Sequence, residues 1–474
     1  MQKIAHTKTT FNEIFVTLQK INRLNMLIRI VATNFKSYKD ETEFNMLPSA
    51  SVRRKDWHIH KTDNSINTLR TAVIYGANGA GKSCLIKALG RLQDMVVRGS
   101  ISPSSSRDAN KYNNPDVPVS LEIEFSTRNG QYSYGICYKG NICVEEWLYS
   151  TIGAPVPIFE RVYDDTADKS HISLTPEKGD EAKNELLTTL LEDNLLKKNE
   201  ILLSKHDVIK NAQVTDAYKW IVSKLTIITP ETHSTSIFDD RYSNPTFKSQ
   251  AEQLMDALDL GISELTLIDE DIESFKQSIT EWPELAQDID KIVKRLSKLP
   301  DGEQTALIET GTFTVSIRKE GNRYFVRRVK SVHNVNGALY NFELKEESDG
   351  TQRIFDFVPM LQEVKSKDET YVIDEIDRSL HPSLVRAIVS RIVSDTTMKG
   401  QLIFTTHDAG LLDGKLFRND EIWFAEKDRE SQATHLYTLD EFKPRADLDI
   451  EKGYLNGRFG AIPFLAKLDE LNWE

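Results

Sequence analysis

The sequence predicts an α/β fold that carries an antiparallel β-subdomain and a helical insertion. Residues 71–92 combine a β-branched apolar run, a glycine-rich turn and leucines at helical spacing, which predicts a strand, a loop and a helix. Residues 370–377 contain a second apolar run that ends in carboxylates, as a buried parallel strand can do. Between the two, Asn129-Gly130 separates two alternating segments, which is the pattern of a β-hairpin.

Length and composition indicate an ordinary globular protein. The chain has 474 residues, enough for two or three domains, with 39% hydrophobic and 28% charged residues. It contains no run of about 18 apolar residues and no signal-peptide pattern, so neither a membrane span nor a membrane partner is expected. Three cysteines at no zinc spacing favour a reducing compartment, and we expect a cytoplasmic protein. The net charge of −12 argues against a coat of nucleic acid but leaves a local basic groove open.

The glycine-rich turn fits G-x-x-x-x-G-K-[ST], the phosphate-binding P-loop or Walker A motif, in the strand–loop–helix context that it requires. Glycines let main-chain N–H groups approach a phosphate, and the helix N-terminus adds a favourable dipole. We therefore expect a nucleoside triphosphate to bind with Lys82 at its β- and γ-phosphates, and Mg²⁺ to bind the Ser83 hydroxyl. The residues predicted to cradle the nucleotide are Gly76, Ala77, Asn78, Gly79, Ala80, Gly81, Lys82 and Ser83.

The remaining elements follow from periodicity. Residues 1–25 have apolar side chains at helical spacing and are interpreted as an amphipathic helix or a frayed extension. Leucines at helical spacing predict helices over 177–225 and 245–299, a helical insertion of roughly 130 residues. The segment 100–118, rich in Ser, Asn, Asp and Pro, is predicted to be a mobile surface loop. Further strands are predicted at 27–35, 41–47, 119–125, 131–138, 142–149, 157–162, 305–317, 323–332, 339–344 and 401–406.

Two strand ends supply candidate catalytic and metal-binding side chains. In TYVIDEID, residues 370–377, Asp374 would hold the water shell of Mg²⁺ as a Walker B aspartate, and Glu375 would polarise the attacking water as a general base. The alternative, a surface acidic pair, is disfavoured by the P-loop upstream. The strand at 401–406 ends in His407, which we expect to contact the γ-phosphate from the far side.

Ser348 and Gly350 open a helix predicted at 352–364. A Ser-x-Gly helix start can bind an anion through its free N–H groups, so both residues are candidates for nucleotide contact. The alternative is an N-cap and nothing more.

The order of Walker A, Ser-x-Gly, Walker B with its Glu, and His resembles the ABC-type ATPases, and is similar to the RecF/SMC-like branch in particular. In that branch a helical insertion separates two halves of the ATPase head, and the signature of one subunit caps ATP held by another subunit's P-loop. The resemblance implies that Ser348 and Gly350 contact nucleotide bound at Lys82 of a second copy, hence a homo-oligomer, at least a dimer. The segment IDRSLHPSL, residues 376–384, resembles the D-loop of that interface.

A narrower resemblance rests on NFKSY, GANGAGKS, LDLGI, ESDGT, DEIDRSLHP, TTHD and GYLNGRFGAIP. These segments resemble the bacterial abortive-infection ATPases of the AbiL/Rlo type, as in PARIS-like anti-phage systems. The signature Ser348-Asp349-Gly350-Thr351 departs from the Leu-Ser-Gly-Gly-Gln of transporters. A Q-loop glutamine is not assigned either, because Gln93 lies too near the P-loop.

The resemblance divides the chain into four parts. These are an N-terminal extension at 1–25, an N-terminal half of the head with Walker A and the β-subdomain at 26–165, a helical insertion at 166–303, and a C-terminal half with signature, Walker B and His407 at 304–474.

The resemblance implies a slow ATPase that acts as a nucleotide-switched sensor or scaffold in anti-phage defence. It would control a separately encoded effector such as a nuclease or toxin. Asp447-x-Asp449 in the short tail lacks a strand framework and is interpreted as surface, so no nuclease of its own is expected. A DNA-binding repair ATPase of the RecF/SMC type stays open as the alternative, and nucleic acid is therefore a possible partner. The missing transporter signature and the insertion disfavour a transporter ATPase.

Overall fold

The structure, a computed structural model, describes residues 24–52, 55–62, 66–176, 181–230, 242–281, 283–298, 304–309, 314–445 and 448–462. The predicted amphipathic segment at 1–25 lies outside the described residues apart from Leu24 and Asn25, and so does Asp447.

Within the described residues, three larger sheets and one two-stranded ribbon carry the fold. The strands are β1 (Met26–Thr33), β2 (Thr42–Asn45), β3 (Ile59–His60), β4 (Thr68–Leu69), β5 (Thr71–Tyr75), β6 (Val119–Ser126), β7 (Gln131–Lys139), β8 (Ile142–Ser150), β9 (Val156–Asp164), β10 (Lys169–Leu174), β11 (Leu225–Ile228), β12 (Ile262–Asp271), β13 (Gln304–Glu309), β14 (Thr314–Glu320), β15 (Arg323–Val335), β16 (Ala338–Glu343), β17 (Thr370–Ile373), β18 (Gln401–Thr405), β19 (Ile422–Lys427) and β20 (Thr434–Thr438). The helices are α1 (Lys82–Arg98), α2 (Glu181–Leu190), α3 (His206–Ile209), α4 (Ala212–Ser223), α5 (Pro245–Ala257), α6 (Ile272–Ser278), α7 (Pro283–Leu296), α8 (Asp349–Glu363), α9 (Pro382–Val393) and α10 (Ile450–Leu455).

The central sheet has the order β11-β17-β18-β5-β19-β20, and its first five strands are parallel. Every residue of β5, β17 and β18 is buried, because side chains cover both faces of this sheet. Parallel strands end at a common edge. The loops that follow β5, β17 and β18 therefore meet there, and they contain the glycine loop, the acidic pair and His407.

A seven-stranded antiparallel sheet, β10-β9-β8-β7-β6-β1-β2, forms the predicted β-subdomain. Both predicted hairpins are present, since β1 pairs with β2 and β6 pairs with β7. Helix α1 fills the space between this sheet and one face of the central sheet, where Leu85, Leu89 and Leu92 join the shared hydrophobic core. Helices α8 and α9 cover the opposite face of the central sheet.

The segment 100–118 is anchored to the β-subdomain, in contrast to the mobile loop that its composition predicts. Asp108 is fully buried there. Its carboxylate lies 2.7 Å from Arg91 Nε and 3.1 Å from Lys36 Nζ, and it accepts a hydrogen bond from the Tyr138 hydroxyl at 3.0 Å. Two cations and a hydroxyl offset the cost of burying this carboxylate, which composition alone cannot reveal.

The segment 166–303 contains strands as well as the predicted helices. β10 completes the antiparallel sheet, β11 is the edge strand of the central sheet, and β12 pairs with β15 in a third sheet of order β12-β15-β14-β13, with β16 beside β15. The helical assignment was wrong over β12, because strand pairing with a distant partner overrides local leucine spacing, and β11 begins at the last residue of the helix predicted over 177–225. The division into four parts stays a prediction.

No helix in the described part of the chain is both long enough and apolar enough to cross a bilayer.

Candidate functional site

The glycine loop between β5 and α1 leaves no room for a side chain at two of its glycines, Gly76 and Gly81. Gly79 and Gly81 have φ angles of 76° and 102°, in the left-handed region that favours glycine. A Cβ at Gly81 would lie 2.4 Å from Thr434 Oγ1, and a Cβ at Gly76 would lie 2.4 Å from the Ala425 carbonyl oxygen. The loop can therefore approach a ligand with its main chain.

Side chains from two other segments support this loop, and sequence reasoning missed both. The Tyr38 hydroxyl donates to the Gly81 carbonyl at 2.9 Å, and the Thr434 hydroxyl donates to the Ala80 carbonyl at 2.9 Å. The Ser37 and Thr434 hydroxyls lie 2.8 Å apart beneath Gly81. The segment NFKSY was noted as a motif, but nothing local to it predicts that it braces a loop more than forty residues away.

Lys82 points into the loop that it follows. Its ammonium donates to the carbonyls of Gly76 at 2.7 Å and Ala77 at 3.1 Å, and lies 3.3 Å from His407 Nδ1. Burial lowers the pKa of Lys82 to about 8, and the carboxylates that follow β17 oppose this shift. At neutral pH the ammonium is therefore charged and available to a phosphate at the mouth of the loop.

Ser83 and Asp374 place two oxygen atoms, a hydroxyl and a carboxylate, side by side as candidate metal ligands. The Ser83 hydroxyl donates to Asp374 Oδ1 at 3.0 Å, and the Thr405 hydroxyl donates to the same oxygen at 2.6 Å. Mg²⁺ takes oxygen ligands and commonly combines one or two protein groups with waters and substrate phosphates. This hydroxyl and this buried carboxylate fit that donor set, with phosphate oxygens supplying the rest.

Glu375 follows Asp374 in a constrained backbone conformation. Its φ angle is 51°, a left-handed value that is uncommon outside glycine and costs about 1–3 kcal/mol. The Glu375 N–H donates to Thr405 Oγ1 at 2.7 Å, which holds the residue at the end of β17. The half-buried carboxylate thereby lies at the same sheet edge as Lys82 and Asp374.

His407 follows β18 at this edge. Its main-chain N–H donates to the Asp377 carboxylate at 3.2 Å, and its ring lies against the Lys82 ammonium. Partial burial, and then the charge of Lys82, lower the pKa of His407 below its usual value. A neutral imidazole here can donate one hydrogen bond to a phosphate oxygen.

Ser348 and Gly350 lie at the N-terminus of α8. The exposed Ser348 caps the helix, since its hydroxyl accepts from the Thr351 N–H at 3.2 Å. A Cβ at Gly350 would lie 2.7 Å from the Ser379 carbonyl oxygen, so the predicted signature packs against the segment that resembles a D-loop. Contact with a partner's nucleotide stays a prediction.

Two further residues weighed in the sequence have structural contacts. The Gln93 amide donates to the carbonyls of Ile221 and Leu225 at 2.8 and 2.7 Å, which ties α1 to the start of β11. Asp449 caps α10 by accepting from the Lys452 N–H at 2.9 Å.

The buried parallel strand, the glycine loop, and the acidic pair at the end of a nearby strand define an α/β P-loop protein. A family model described as "AAA domain, putative AbiEii toxin, Type IV TA system" matches residues 72–154 and 172–413. This match covers more than half of the chain and spans the glycine loop, Asp374 and His407. The chain belongs to this family of P-loop ATPase domains.

Solved structures of SMC heads are also similar, at a low level. The SMC head domain from Thermotoga maritima has 12% identity and a TM-score of 0.34, covering 87% of this chain and 98% of that one. An Smc head bound to the C-winged helix domain of ScpA has 13% identity and a TM-score of 0.39, covering 88% of this chain and 99% of that one. An Smc head with an extended coiled coil, bound to the C-terminal domain of ScpA derived from Pyrococcus furiosus, has 12% identity and a TM-score of 0.36, covering 89% of this chain and 100% of that one. TM-scores below 0.5 carry no conclusion about function. A search of curated proteins gave no match.

Proposed function

We propose that this chain binds ATP with Mg²⁺ and hydrolyses it slowly. The observation that carries the proposal is the 3.0 Å contact between the Ser83 hydroxyl and the Asp374 carboxylate, with the Lys82 ammonium at the same sheet edge. A P-loop serine and a strand-end aspartate that meet in this way are suited to a phosphate-bound cation.

Each group at the edge has a distinct task in the proposed reaction. Main-chain N–H groups of residues 76–83 and the Lys82 ammonium bind the phosphates and offset the negative charge that spreads over the transferred phosphoryl group. The Glu375 carboxylate orients a water for in-line attack on the γ-phosphorus and accepts its proton. His407 donates a hydrogen bond to a γ-phosphate oxygen. Ser83 and Asp374 are the residues that would hold Mg²⁺, and the ion would supply positive charge that offsets the charge of the phosphates.

Equilibrium binding and phosphate release test this proposal on the purified chain. The wild type is expected to bind ATP in the presence of Mg²⁺ and to release phosphate slowly, and Lys82→Ala is expected to lose both. Lys87→Ala, which removes an exposed cation further along α1, is the matched control and should behave as the wild type. A wild-type chain that binds no ATP would contradict the proposal.

We propose further that the nucleotide state of a cytoplasmic homo-oligomer controls a separately encoded effector in anti-phage defence. The separate effector and the defence role are supported by the motif resemblance, and the family description, which names a putative toxin of a type IV toxin–antitoxin system, supports only a link to such systems. ATP can shift an assembly only by its different affinity for two states, and a second chain must then respond to that shift.

The defence role has its own test. The purified chain is expected to leave DNA and RNA intact. When it is co-expressed with the product of a neighbouring gene, the two are expected to form a stable complex. Cells that carry Lys82→Ala or Glu375→Gln are expected to lose their defence against phage. Neighbouring recombination genes in place of a nuclease or toxin gene would favour the DNA-repair alternative. Metal-dependent cleavage that disappears on changing Asp447 or Asp449 would place a nuclease in the tail and contradict the proposal.

A further inference from the structure

Arg353 is a buried cation on α8 to which the proposed hydrolysis assigns no task. Its side chain is almost fully buried, at 5% relative exposure. Nη1 donates to the Thr229 carbonyl at 3.0 Å, and Nη2 donates to the Asp374 carbonyl at 2.9 Å and lies 3.4 Å from the Glu375 carbonyl. One guanidinium thus joins the first turns of α8 to the ends of β11 and β17.

The location explains why an arginine is present. Strands β11 and β17 both stop here, so their sheet ladders no longer supply donors to these carbonyls, of which that of Asp374 is buried. A planar guanidinium holds several N–H groups in a fixed, forked arrangement that can reach two carbonyls at once. A lysine ammonium is a compact point charge without this arrangement. The Phe357 ring lies 4.8 Å from the guanidinium carbon and Asp356 lies 3.7 Å from Nη1, so the fork is held in place from its own helix.

The peptide unit between Asp374 and Glu375 is fixed at both of its polar groups. Its carbonyl, that of Asp374, accepts from Arg353, and its N–H, that of Glu375, donates to Thr405 Oγ1 at 2.7 Å. The φ angle of Glu375 is the rotation between this peptide plane and the rest of Glu375, and it has the strained value of 51°. The Glu375 carbonyl also accepts from the Arg378 N–H at 3.1 Å, which limits the next peptide unit.

We propose that Arg353 is a positioning residue for Glu375. Its guanidinium fixes the peptide plane before Glu375 and so directs the Glu375 carboxylate at the attacking water. The inference rests on the proposed function, since it requires Glu375 to be the base.

The expected effect separates catalysis from binding. Arg353→Ala frees the peptide plane, and a base displaced by about 1 Å lowers kcat by roughly 100-fold. Affinity for ATP should stay within about twofold of the wild type, because Lys82 and Ser83 are unchanged. Arg353→Lys keeps the charge but not the fork, and an intermediate kcat is expected. Guanidinium added to Arg353→Ala should restore part of the lost kcat, whereas methylammonium at the same concentration should not.

Arg161→Ala is the matched control. Arg161 is a fully buried arginine on β9 that donates to the Lys197 carbonyl at 3.0 Å and pairs with Glu146 at 3.7 Å. Its loss should lower stability and leave kcat per folded molecule unchanged, with no response to guanidinium.

Hydrogen exchange of residues 370–378 provides a readout that needs no turnover. Exchange at these amides should be faster in Arg353→Ala than in the wild type or Arg161→Ala, and guanidinium should slow it again.

Two outcomes would overturn the inference while the wild type hydrolyses ATP. One is a wild-type kcat in Arg353→Ala. The other is a loss of kcat that Arg161→Ala reproduces and guanidinium leaves unrestored, which would assign Arg353 a stability role only. A wild type that binds ATP but releases no phosphate is a separate result, because it removes the proposed hydrolysis itself.

Discussion

The Ser83 hydroxyl donates to Asp374 Oδ1 at 3.0 Å, although the two residues are 291 positions apart in the chain. The contact exists because β5 and β17 flank β18 in a parallel sheet, so that their carboxyl ends share one edge. Thr405, at the end of β18, donates to the same oxygen and fixes its position. A cation held by phosphates of ATP would find two protein oxygens already placed beside it.

Asp374→Asn is expected to raise the Mg²⁺ concentration that ATP binding requires by roughly 10- to 100-fold, as for other groups that orient the shell of a metal. The amide keeps the shape of the side chain and removes its negative charge. A Mg²⁺ titration at fixed ATP measures the effect. Asp377→Asn, whose carboxylate accepts from the His407 N–H, is the control and should need little more Mg²⁺ than the wild type. An identical Mg²⁺ requirement in Asp374→Asn and the wild type would contradict the assignment.

The affinity for ATP should depend on the protonation of Lys82. Burial lowers the pKa of Lys82 to about 8, so the ammonium is charged below this pH and loses its proton as the pH rises through it. Phosphates bind the charged form, so the ATP dissociation constant should be level below about pH 8 and rise above it, by at most about tenfold per pH unit. Partial burial and the charge of Lys82 lower the pKa of His407, which moves its titration away from the rise expected above pH 8.

A binding series from about pH 6.5 to 9.5 measures this dependence. Lys82→Arg is the control, since a guanidinium stays charged throughout and should give a level profile. A wild-type profile that stays level above pH 8 would show that Lys82 does not titrate as its burial predicts.

Gly79→Ala and Gly81→Ala form a matched pair that tests the shape of the loop. Both glycines have left-handed φ angles, which cost an alanine about 1–2 kcal/mol. A Cβ at Gly79 meets no atom within 4 Å, whereas a Cβ at Gly81 would lie 2.4 Å from Thr434 Oγ1 and 2.7 Å from Ser37 Oγ. Urea unfolding should therefore show a clearly larger loss of unfolding free energy for Gly81→Ala. Equal losses would mean that the brace formed by Ser37 and Thr434 yields at little cost.

Nucleotide-dependent assembly tests the role of Ser348. If Ser348 caps ATP bound to a second copy, then Glu375→Gln with ATP should show a higher mass by light scattering than the same variant without ATP. Adding Ser348→Arg places a bulky cation at that contact and should abolish the increase. Ser366→Arg, which adds the same cation to an exposed position beyond the other end of α8, should leave it intact. A mass that is constant under all these conditions would indicate a self-contained site.

The positions of Lys82, Ser83, Asp374 and His407 were predictable because each lies in or directly after a short contiguous pattern. A buried apolar run followed by glycines, carboxylates or a histidine marks a strand end, and parallel strand ends meet. Their neighbours were not predictable in the same way. Arg353 reaches Asp374 through tertiary packing of α8, and no local spacing records that contact.

The edge of the central sheet shows the same limit. Leu225–Ile228, with the sequence LTII, is a short and mostly apolar segment that follows a helix, and such a segment fits a helix end as well as a strand. Only its parallel pairing with β17 makes it a strand. That pairing places Thr229 beside Arg353, so the missed strand and the missed arginine have one cause.

The most direct test of the central claim, ATP hydrolysis with Glu375 as the base, is phosphate release by Glu375→Gln measured beside its affinity for ATP. The substitution removes the base and keeps the size of the side chain, while Lys82, Ser83 and Asp374 remain. The account predicts ATP affinity close to that of the wild type and a rate of phosphate release lowered by at least about 100-fold. Phosphate release at the wild-type rate would contradict it.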